Sequence, residues 1–111
     1  MDSTRQQKIA QLIRKELGDI FLIDGPAVYG CMITVTRTAV TKDLSIARSY
    51  LSIYNAPDPD AVIKAVRANT KNTRFRLGQK VKNQLRVIPQ LEFFIDDSLD
   101  YIENIEKLLK Q

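Results

Sequence analysis

The sequence lacks histidine and tryptophan, and cysteine occurs once, as Cys31, among 111 residues. Without histidine there is no imidazole to serve as a general base or as a metal ligand. A single thiol can neither close a disulfide within the chain nor build a thiolate zinc site. Cys31 also has no histidine to activate it as a nucleophile, and we expect it to be a small apolar residue of a strand. The prediction is a protein that is not an enzyme, with no catalytic residues, metal or cofactor.

Long hydrophobic runs are also missing. No apolar stretch approaches the roughly 18 residues of a membrane span, and the polar, amphipathic N-terminus does not have the pattern of a signal peptide. Gly-rich phosphate loops of the Walker or dinucleotide type do not occur. One cysteine fits a reducing compartment, so we expect a cytoplasmic protein without a membrane partner. A length of 111 residues with 44% hydrophobic residues predicts one domain over residues 1–111, able to bury a core.

Charge is distributed very unevenly along the chain. Between Lys64 and Arg86 there are eight basic residues and no acidic one, whereas from Glu92 onward six acids face two lysines. Solvated helices usually mix the two signs so that neighbouring turns form ion pairs. A basic segment without acids is instead typical of surfaces that bind a nucleic-acid backbone. A solvated helix surface is the alternative interpretation of the same run.

The first half of the chain predicts one helix and two strands. Ser3 and Gln6 form a capping box, and apolar residues at helical spacing extend the helix from residue 4 to about residue 20. Asp24-Gly25-Pro26 predicts a turn. Met32 to Thr36 and Ile46 to Tyr54 are rich in β-branched residues or alternate as strands do. The residues predicted to face the core are Ile9, Leu12, Ile13, Leu17, Ile20, Ile33, Val35, Ala47, Leu51 and Ile53.

The second half predicts two successive helices, a strand and a last helix. Asp58 caps the first of these helices, with Pro59 in its first turn. Asparagines and threonines then compete with the helix backbone, which predicts a bend or new cap near Asn72. Pro89 ends the second helix, and Leu91 to Ile95 predicts the third strand. The apolar residues expected to pack inward are Ala61, Val62, Ala65, Val66, Leu77, Val81, Leu85, Ile88, Leu91, Phe93 and Ile95. Ser98 would cap the last helix, through Ile102, Ile105, Leu108 and Leu109.

This order of elements predicts an α+β fold. Three strands form one sheet, and the helices cover one face of it. Basic side chains then gather on the second helix of the pair and at the bend before it, where free N–H groups and the helix dipole attract phosphate. Such a surface positions RNA or DNA more than it reads sequence. The predicted contacts are Lys71, Asn72, Arg74, Arg76, Lys80, Lys82 and Arg86, with Lys8, Arg14 and Lys15 of the first helix as weaker candidates. For Arg86, a position over the sheet edge is an equal alternative.

The other face of the sheet carries aromatic residues. Tyr50, Tyr54 and Phe94 alternate with the core residues of their strands, and aromatics on an open sheet can stack bases. Packing between neighbouring strands, or cover by the last helix, is the preferred interpretation. Aromatic residues make up only 7% of the chain, which argues against extensive base stacking.

Several segments resemble the ribosome-binding factor A family. The similarity rests on Ile33-Thr34-Val35-Thr36, on the stretch from Asp43 through Tyr50-Leu51-Ser52, and above all on residues 85–98, which read LRVIPQLEFFIDDS. It covers nearly the whole chain. The resemblance implies a type II KH-like domain, in the order helix-strand-strand-helix-kink-helix-strand with a C-terminal helix. A typical KH domain places a GxxG loop between its paired helices. This chain has no such loop, and Lys71-Asn72-Thr73-Arg74 stands at the kink.

The resemblance also implies a function. Proteins of this family bind the immature small (30S) ribosomal subunit and its 16S rRNA, assist rRNA processing and matter for growth at low temperature. The expected partners are therefore the small subunit, its rRNA and ribosomal proteins, with the free protein a monomer. Two alternatives stay open at this point. One is a general KH-type RNA-binding protein, and the other is a protein-interaction module that docks a ribosomal protein through its acidic C-terminal helix.

Overall fold

The computed structural model of the protein describes residues 3–96. The predicted capping box starts helix α1 (Thr4–Asp24). The Gln6 N–H donates to Ser3 Oγ at 3.1 Å, and the Ser3 N–H donates to Gln6 Oε1 at 3.0 Å. The Gln6 side chain also donates to the Val40 carbonyl at 3.1 Å, which fixes the start of α1 against the sheet. Ile9, Ile13, Leu17 and Ile20 are buried as predicted, with Leu12 partly buried against them.

The predicted turn at Asp24-Gly25-Pro26 is wrong, because the helix continues four residues past residue 20 and then widens into a π-helical turn, Gly25–Tyr29. Pro26 has no N–H to give to the α-helical ladder, which interrupts the α-helix at the point where the π-turn begins. The chain then reverses so closely that a Cβ on Gly25 would lie 2.7 Å from the Cys31 carbonyl oxygen. Gly25 therefore provides the room that brings Cys31, buried just before the first strand, back toward α1.

The sheet has three strands in the order β1 (Met32–Val40), β2 (Ile46–Tyr54) and β3 (Gln90–Ile95). Strand β2 has the predicted bounds, β1 runs four residues beyond the predicted Thr36, and β3 starts one residue before Leu91. Strands β1 and β2 are antiparallel with an irregularity at Thr36, and β3 is parallel to β2. The parallel pairing requires the crossover that the two intervening helices supply.

The two crossover helices are α2 (Pro59–Ala68) and α3 (Thr70–Val81). Asp58 caps α2 as predicted, through its carboxylate and the Ala61 N–H at 3.2 Å. The predicted bend at Asn72 is misplaced, because the break lies at Asn69, where the backbone leaves helical values at φ −99° and ψ 11°. The Thr70 hydroxyl donates back to the Arg67 carbonyl, and the Thr73 hydroxyl donates to the Asn69 carbonyl. The Asn69 side chain also donates to the Tyr29 hydroxyl at 3.1 Å, which anchors the break to the end of the π-turn.

The core lies between the three helices and one face of the sheet. Phe21 and Phe93 meet edge to face with ring centroids 5.7 Å apart, so α1 and β3 share its centre. The predicted apolar face of α2 is partly wrong: Ala61 and Ala65 are exposed, while Ile63 and Val66 are buried. The order helix-strand-strand-helix-helix-strand agrees with the predicted α+β fold. The predicted last helix from Ser98 lies outside the described residues.

Candidate nucleic-acid interface

Helix α3 runs antiparallel to α1, and this brings the basic segment alongside acids from the first helix. Arg76 of α3 meets Asp24 at the end of α1, and Lys80, one turn later, meets Glu16, eight residues earlier in α1. Leu77 and Val81, each directly after one of these two residues, are buried in the core. The acids missing from the segment between Lys64 and Arg86 are thus supplied by a distant part of the chain.

Arg76 is held by a half-buried ion pair. Its Nη1 lies 2.5 Å from Asp24 Oδ2, and the side-chain exposures are 37% for Arg76 and 6% for Asp24. A carboxylate that is nearly removed from water needs such a partner, because an unpaired buried charge is strongly destabilising. The sequence predicts Arg76 as a phosphate contact. In the structure its guanidinium also neutralises the buried carboxylate of Asp24.

Lys80 has a weaker partner. Its Nζ lies 3.8 Å from Glu16 Oε2, and 41% of its side chain is exposed. Glu16 also lies 3.7 Å from Lys15, whose side chain is 73% exposed. Glu16 itself is 16% exposed and lies near both lysines, so one lysine can leave it for another anion at a cost of roughly 0–1 kcal/mol while the other stays beside it.

Arg74 lies between α3 and the segment that leads into β3. Its Nε donates to the Pro89 carbonyl at 3.0 Å, and its Nη2 donates to the Ile88 carbonyl at 2.5 Å. The guanidinium is therefore fastened to the backbone through two donors and is only partly exposed. This geometry assigns Arg74 a structural contact in addition to its predicted role.

Three predicted contacts at the two ends of α3 face solvent. Lys71 and Asn72 lie exposed in its first turn, and Lys82 is exposed as its C-terminal cap. Within residues 3–96 none of these side chains takes part in an ion pair or a side-chain hydrogen bond. The break at Asn69 places Lys71 and Asn72 where the N–H groups of a new helix begin, which favours an anion there.

Arg86 and Lys8 both line a cleft of about 1090 Å³. The cleft lies between the first turns of α1, the β1–β2 turn (residues 41–45) and the segment between α3 and β3. Arg5 also lines it, a residue that the sequence prediction missed although it stands three positions from Lys8 on the same helix. We call this region the α1-start cleft. Arg14, the remaining candidate, lies exposed beside β1 and shares a shallow groove with Arg37.

On the outer face of the sheet, aromatic side chains pack between neighbouring strands, as predicted. Tyr50 and Phe94 are register partners on β2 and β3, and their rings stack at 5.5 Å. The Arg37 guanidinium lies 4.2 Å from the Tyr50 ring centroid, and that of Arg67 lies 5.8 Å from Phe94. Cations thus flank both ends of the aromatic pair. Tyr54 is 63% exposed and stands apart from this row.

Other chemistry has little support in the part of the chain that the structure describes. Residues 3–96 contain no group of three cysteine and acidic side chains placed to hold a metal ion, and no helix there is long and apolar enough to cross a membrane. Burial raises the pKa of the Cys31 thiol, which favours the unreactive protonated form.

Known structures share this fold. The chain is similar to the crystal structure of ribosome-binding factor A from Thermus thermophilus, with a TM-score of 0.65, 19% identity, and coverage of 81% of this chain and 94% of that one. It is also similar to a Thermus thermophilus ribosome-binding factor A model fitted into a cryo-EM map of a complex with the 30S subunit. That match has a TM-score of 0.62 at 18% identity and covers 78% of this chain and 89% of that one.

Curated relatives agree over the full length. Ribosome-binding factor A of Cytophaga hutchinsonii is 39% identical over 112 aligned residues, covering 100% of this chain and 84% of the relative. The protein of the same name from Flavobacterium johnsoniae is 41% identical, covering 98% of this chain and 85% of the relative. A family model described as ribosome-binding factor A matches residues 5–109. The chain therefore belongs to the ribosome-binding factor A family.

Proposed function

We propose that this protein is a non-enzymatic assembly factor that binds the immature small (30S) ribosomal subunit through its 16S rRNA. Family membership over residues 5–109 carries the proposal, together with the 30S complex of a structural neighbour. Assistance with rRNA processing, including at low temperature, and action as a cytoplasmic monomer belong to the same proposal. Contacts to ribosomal proteins would accompany the RNA contact.

The charges of the described residues support an RNA-binding face along α3. Lys71 and Asn72 at its start and Lys82 at its end are exposed and have no partner within residues 3–96, so they can take phosphate without breaking an internal contact. Lys80 is exchangeable because its contact to Glu16 spans 3.8 Å and because Lys15 stays beside Glu16 when Lys80 moves away. Arg76 and Arg74 would then act mainly by holding α3 in place.

Co-sedimentation with ribosomal particles tests this assignment. Purified protein is mixed with immature small subunits, mature small subunits or naked 16S rRNA at two salt concentrations. We expect preferential, salt-sensitive binding to immature subunits. The variant Lys71→Gln/Lys82→Gln should weaken that binding and lower its salt slope by about 2, because each lost phosphate contact removes about one.

The matched control is Arg48→Gln/Lys64→Gln, which removes the same charge from exposed positions outside the proposed face and outside the first turns of α1. It should leave the salt slope nearly unchanged. Equal loss in both variants would show that only net charge matters and would remove the α3 assignment. Binding to naked RNA alone would favour the general RNA-binding alternative, and absence of binding to any of these particles would contradict the proposed function.

A further inference from the structure

The α1-start cleft carries positive charge that the fold itself does not use. Arg5, Lys8 and Arg86 line it, are exposed, and take part in no ion pair or side-chain hydrogen bond within residues 3–96. Arg74 and Arg76, by contrast, bind the Pro89 carbonyl and the Asp24 carboxylate within the protein. Three cations from two separate segments therefore converge on one open volume without a structural reason to do so.

Asp43 is the single acid among the described lining residues, and its carboxylate already accepts hydrogen bonds within the β1–β2 turn. Asp43 Oδ1 accepts hydrogen bonds from the Thr41 hydroxyl at 2.8 Å, the Ser45 hydroxyl at 2.7 Å and the Ser45 N–H at 3.1 Å. The Ser45 hydroxyl, followed by the Thr41 hydroxyl, holds the pKa of Asp43 below its ordinary value. Its carboxylate shapes the β1–β2 turn and is not an ion-pair partner for Arg5, Lys8 or Arg86.

The floor of the cleft is apolar. Ile9 and Leu85 belong to the core or pack against it, as does Leu44, which adopts a left-handed backbone with φ 63° in the turn. Val87 at the rim is 75% exposed and extends the apolar surface beyond the floor. A solvent-filled basic groove would not need this floor, whereas a ligand with both an anionic and a flat apolar part would use it.

We propose that the α1-start cleft binds an unpaired RNA segment, with phosphates at Arg5 and Lys8 and a base lying on Arg86, Leu85 and Val87. The inference rests on the proposed function, because it gives the RNA partner a second contact at the far end of the molecule. Unpaired bases recognised by proteins commonly stack on arginine guanidinium planes. In a duplex the bases are stacked inside the helix and only the phosphates would reach the cleft.

The position of the cleft continues the face already proposed. Helix α1 has 21 residues, so its two ends are about 31 Å apart. Arg76 marks one end through Asp24, and Arg5 and Lys8 mark the other. Because α3 runs antiparallel to α1, the chain passes from Lys71 through Lys82, on the same side of the helix, to Arg86 at the cleft. One RNA strand or two neighbouring rRNA segments can therefore engage both ends of the protein at once.

A fluorescently labelled single-stranded octaribonucleotide containing 4-thiouridine tests the cleft in the full chain. Fluorescence anisotropy at two salt concentrations gives affinity and salt slope. The variant Lys8→Gln should weaken binding about fivefold, as loss of one exposed charge contact would, and lower the salt slope by about 0.7. Its control is Lys64→Gln, which removes one exposed lysine outside the cleft and should have little effect.

The apolar floor has its own matched pair. Val87→Ser should weaken binding of the single strand without changing the salt slope, while Val28→Ser, at another valine that is 58% exposed, should not. Photo-cross-links should fall on residues 84–90. A duplex of equal length should bind more weakly and be indifferent to Val87→Ser.

Three results would overturn the cleft as an RNA site. They are cross-links confined to residues 69–76, equal effects of Lys8→Gln and Lys64→Gln, or equal sensitivity of single strand and duplex to Val87→Ser. If any of these occurs while immature subunits still co-sediment with the protein, the proposed function stands and this site falls. If the wild-type protein neither co-sediments with immature subunits nor binds the octaribonucleotide, the proposed function is contradicted.

Discussion

The middle of α3 and its two ends carry the same kind of residue but use it differently. In the middle, Arg74 is bonded to two backbone carbonyls and Arg76 to a buried carboxylate. At the ends, Lys71 and Lys82 face solvent and have no partner within residues 3–96. Arginine suits the first task because its planar fork holds two acceptors in fixed geometry, while lysine suits a mobile contact with phosphate. The arginines of α3 therefore hold the helix in place, while its lysines are exposed to solvent.

Removing the Arg76 side chain should have the largest effect on this contrast. Arg76→Ala leaves Asp24 buried without its partner, and we expect a loss of about 2–3 kcal/mol in the free energy of unfolding, below the full penalty for a buried pair because Arg76 is partly exposed. Urea denaturation followed by circular dichroism measures it. Lys71→Ala, at an exposed position, should change the same quantity by less than about 0.5 kcal/mol.

A second variant separates the charge from the packing at this pair. Asp24→Asn/Arg76→Ala should recover part of the lost stability, because a neutral amide is cheaper to bury than an unpaired carboxylate. If Arg76→Ala is as stable as Lys71→Ala, the ion pair does not hold α3 against α1, and the distinction between the middle and the ends of the helix disappears.

Arg74 should show a smaller effect that depends on geometry. Arg74→Ala removes two charge-assisted donors from the carbonyls of Ile88 and Pro89, which we expect to cost about 1.5–2 kcal/mol of unfolding free energy. Arg74→Lys keeps the charge but not the fork, so it should recover little of the lost stability. Recovery of stability by lysine would show that charge alone, and not the two-carbonyl contact, matters at this position.

The smallest effect is expected at Asp43, beside the α1-start cleft. Its pKa is lowered from the ordinary value of 3.8, mainly by the Ser45 hydroxyl. A lowered folded-state pKa means that the carboxylate stabilises the turn above pH 3.8 and loses this contribution as the pH falls through the folded value. Wild type should therefore exceed Asp43→Asn in stability at neutral pH and lose that advantage in acid. Parallel pH profiles of the two proteins would contradict the assigned role of the carboxylate.

Local signals predicted most of the fold. The capping box at Ser3 and Gln6, the alternation in β2 and the Asp58-Pro59 helix start all depend on neighbours within a few residues, and all three are confirmed. The failures depend on distant contacts. Whether the chain turns at Gly25 depends on how Cys31 packs back, and whether the helix breaks at Asn69 or Asn72 depends on Tyr29.

The candidate site was less predictable for the same reason. A run of basic residues shows how much charge is present but not which acids the fold will bring beside it, and here Asp24 and Glu16 come from the first helix. The partners of Arg74 are backbone carbonyls, which any sequence offers and no pattern reveals. Arg5 had a detectable signal, its spacing from Lys8, but the cleft that makes it interesting forms only when α1 meets the segment before β3. The assignment of RNA contacts stays a prediction.

The parallel pairing of β2 with β3 sets an order in which the chain can fold. During synthesis β1 and β2 can pair as soon as Tyr54 is made, but the other edge of β2 must wait for Gln90. At roughly 5–20 residues per second, the intervening segment of about 35 residues takes about 2–7 seconds to emerge. Through that interval the nascent hairpin shows an unpaired edge that can recruit another chain. Translation that slows in the cold lengthens this interval. Newly made copies of the protein are then open to pairing with another chain for longer, until β3 covers the edge of β2.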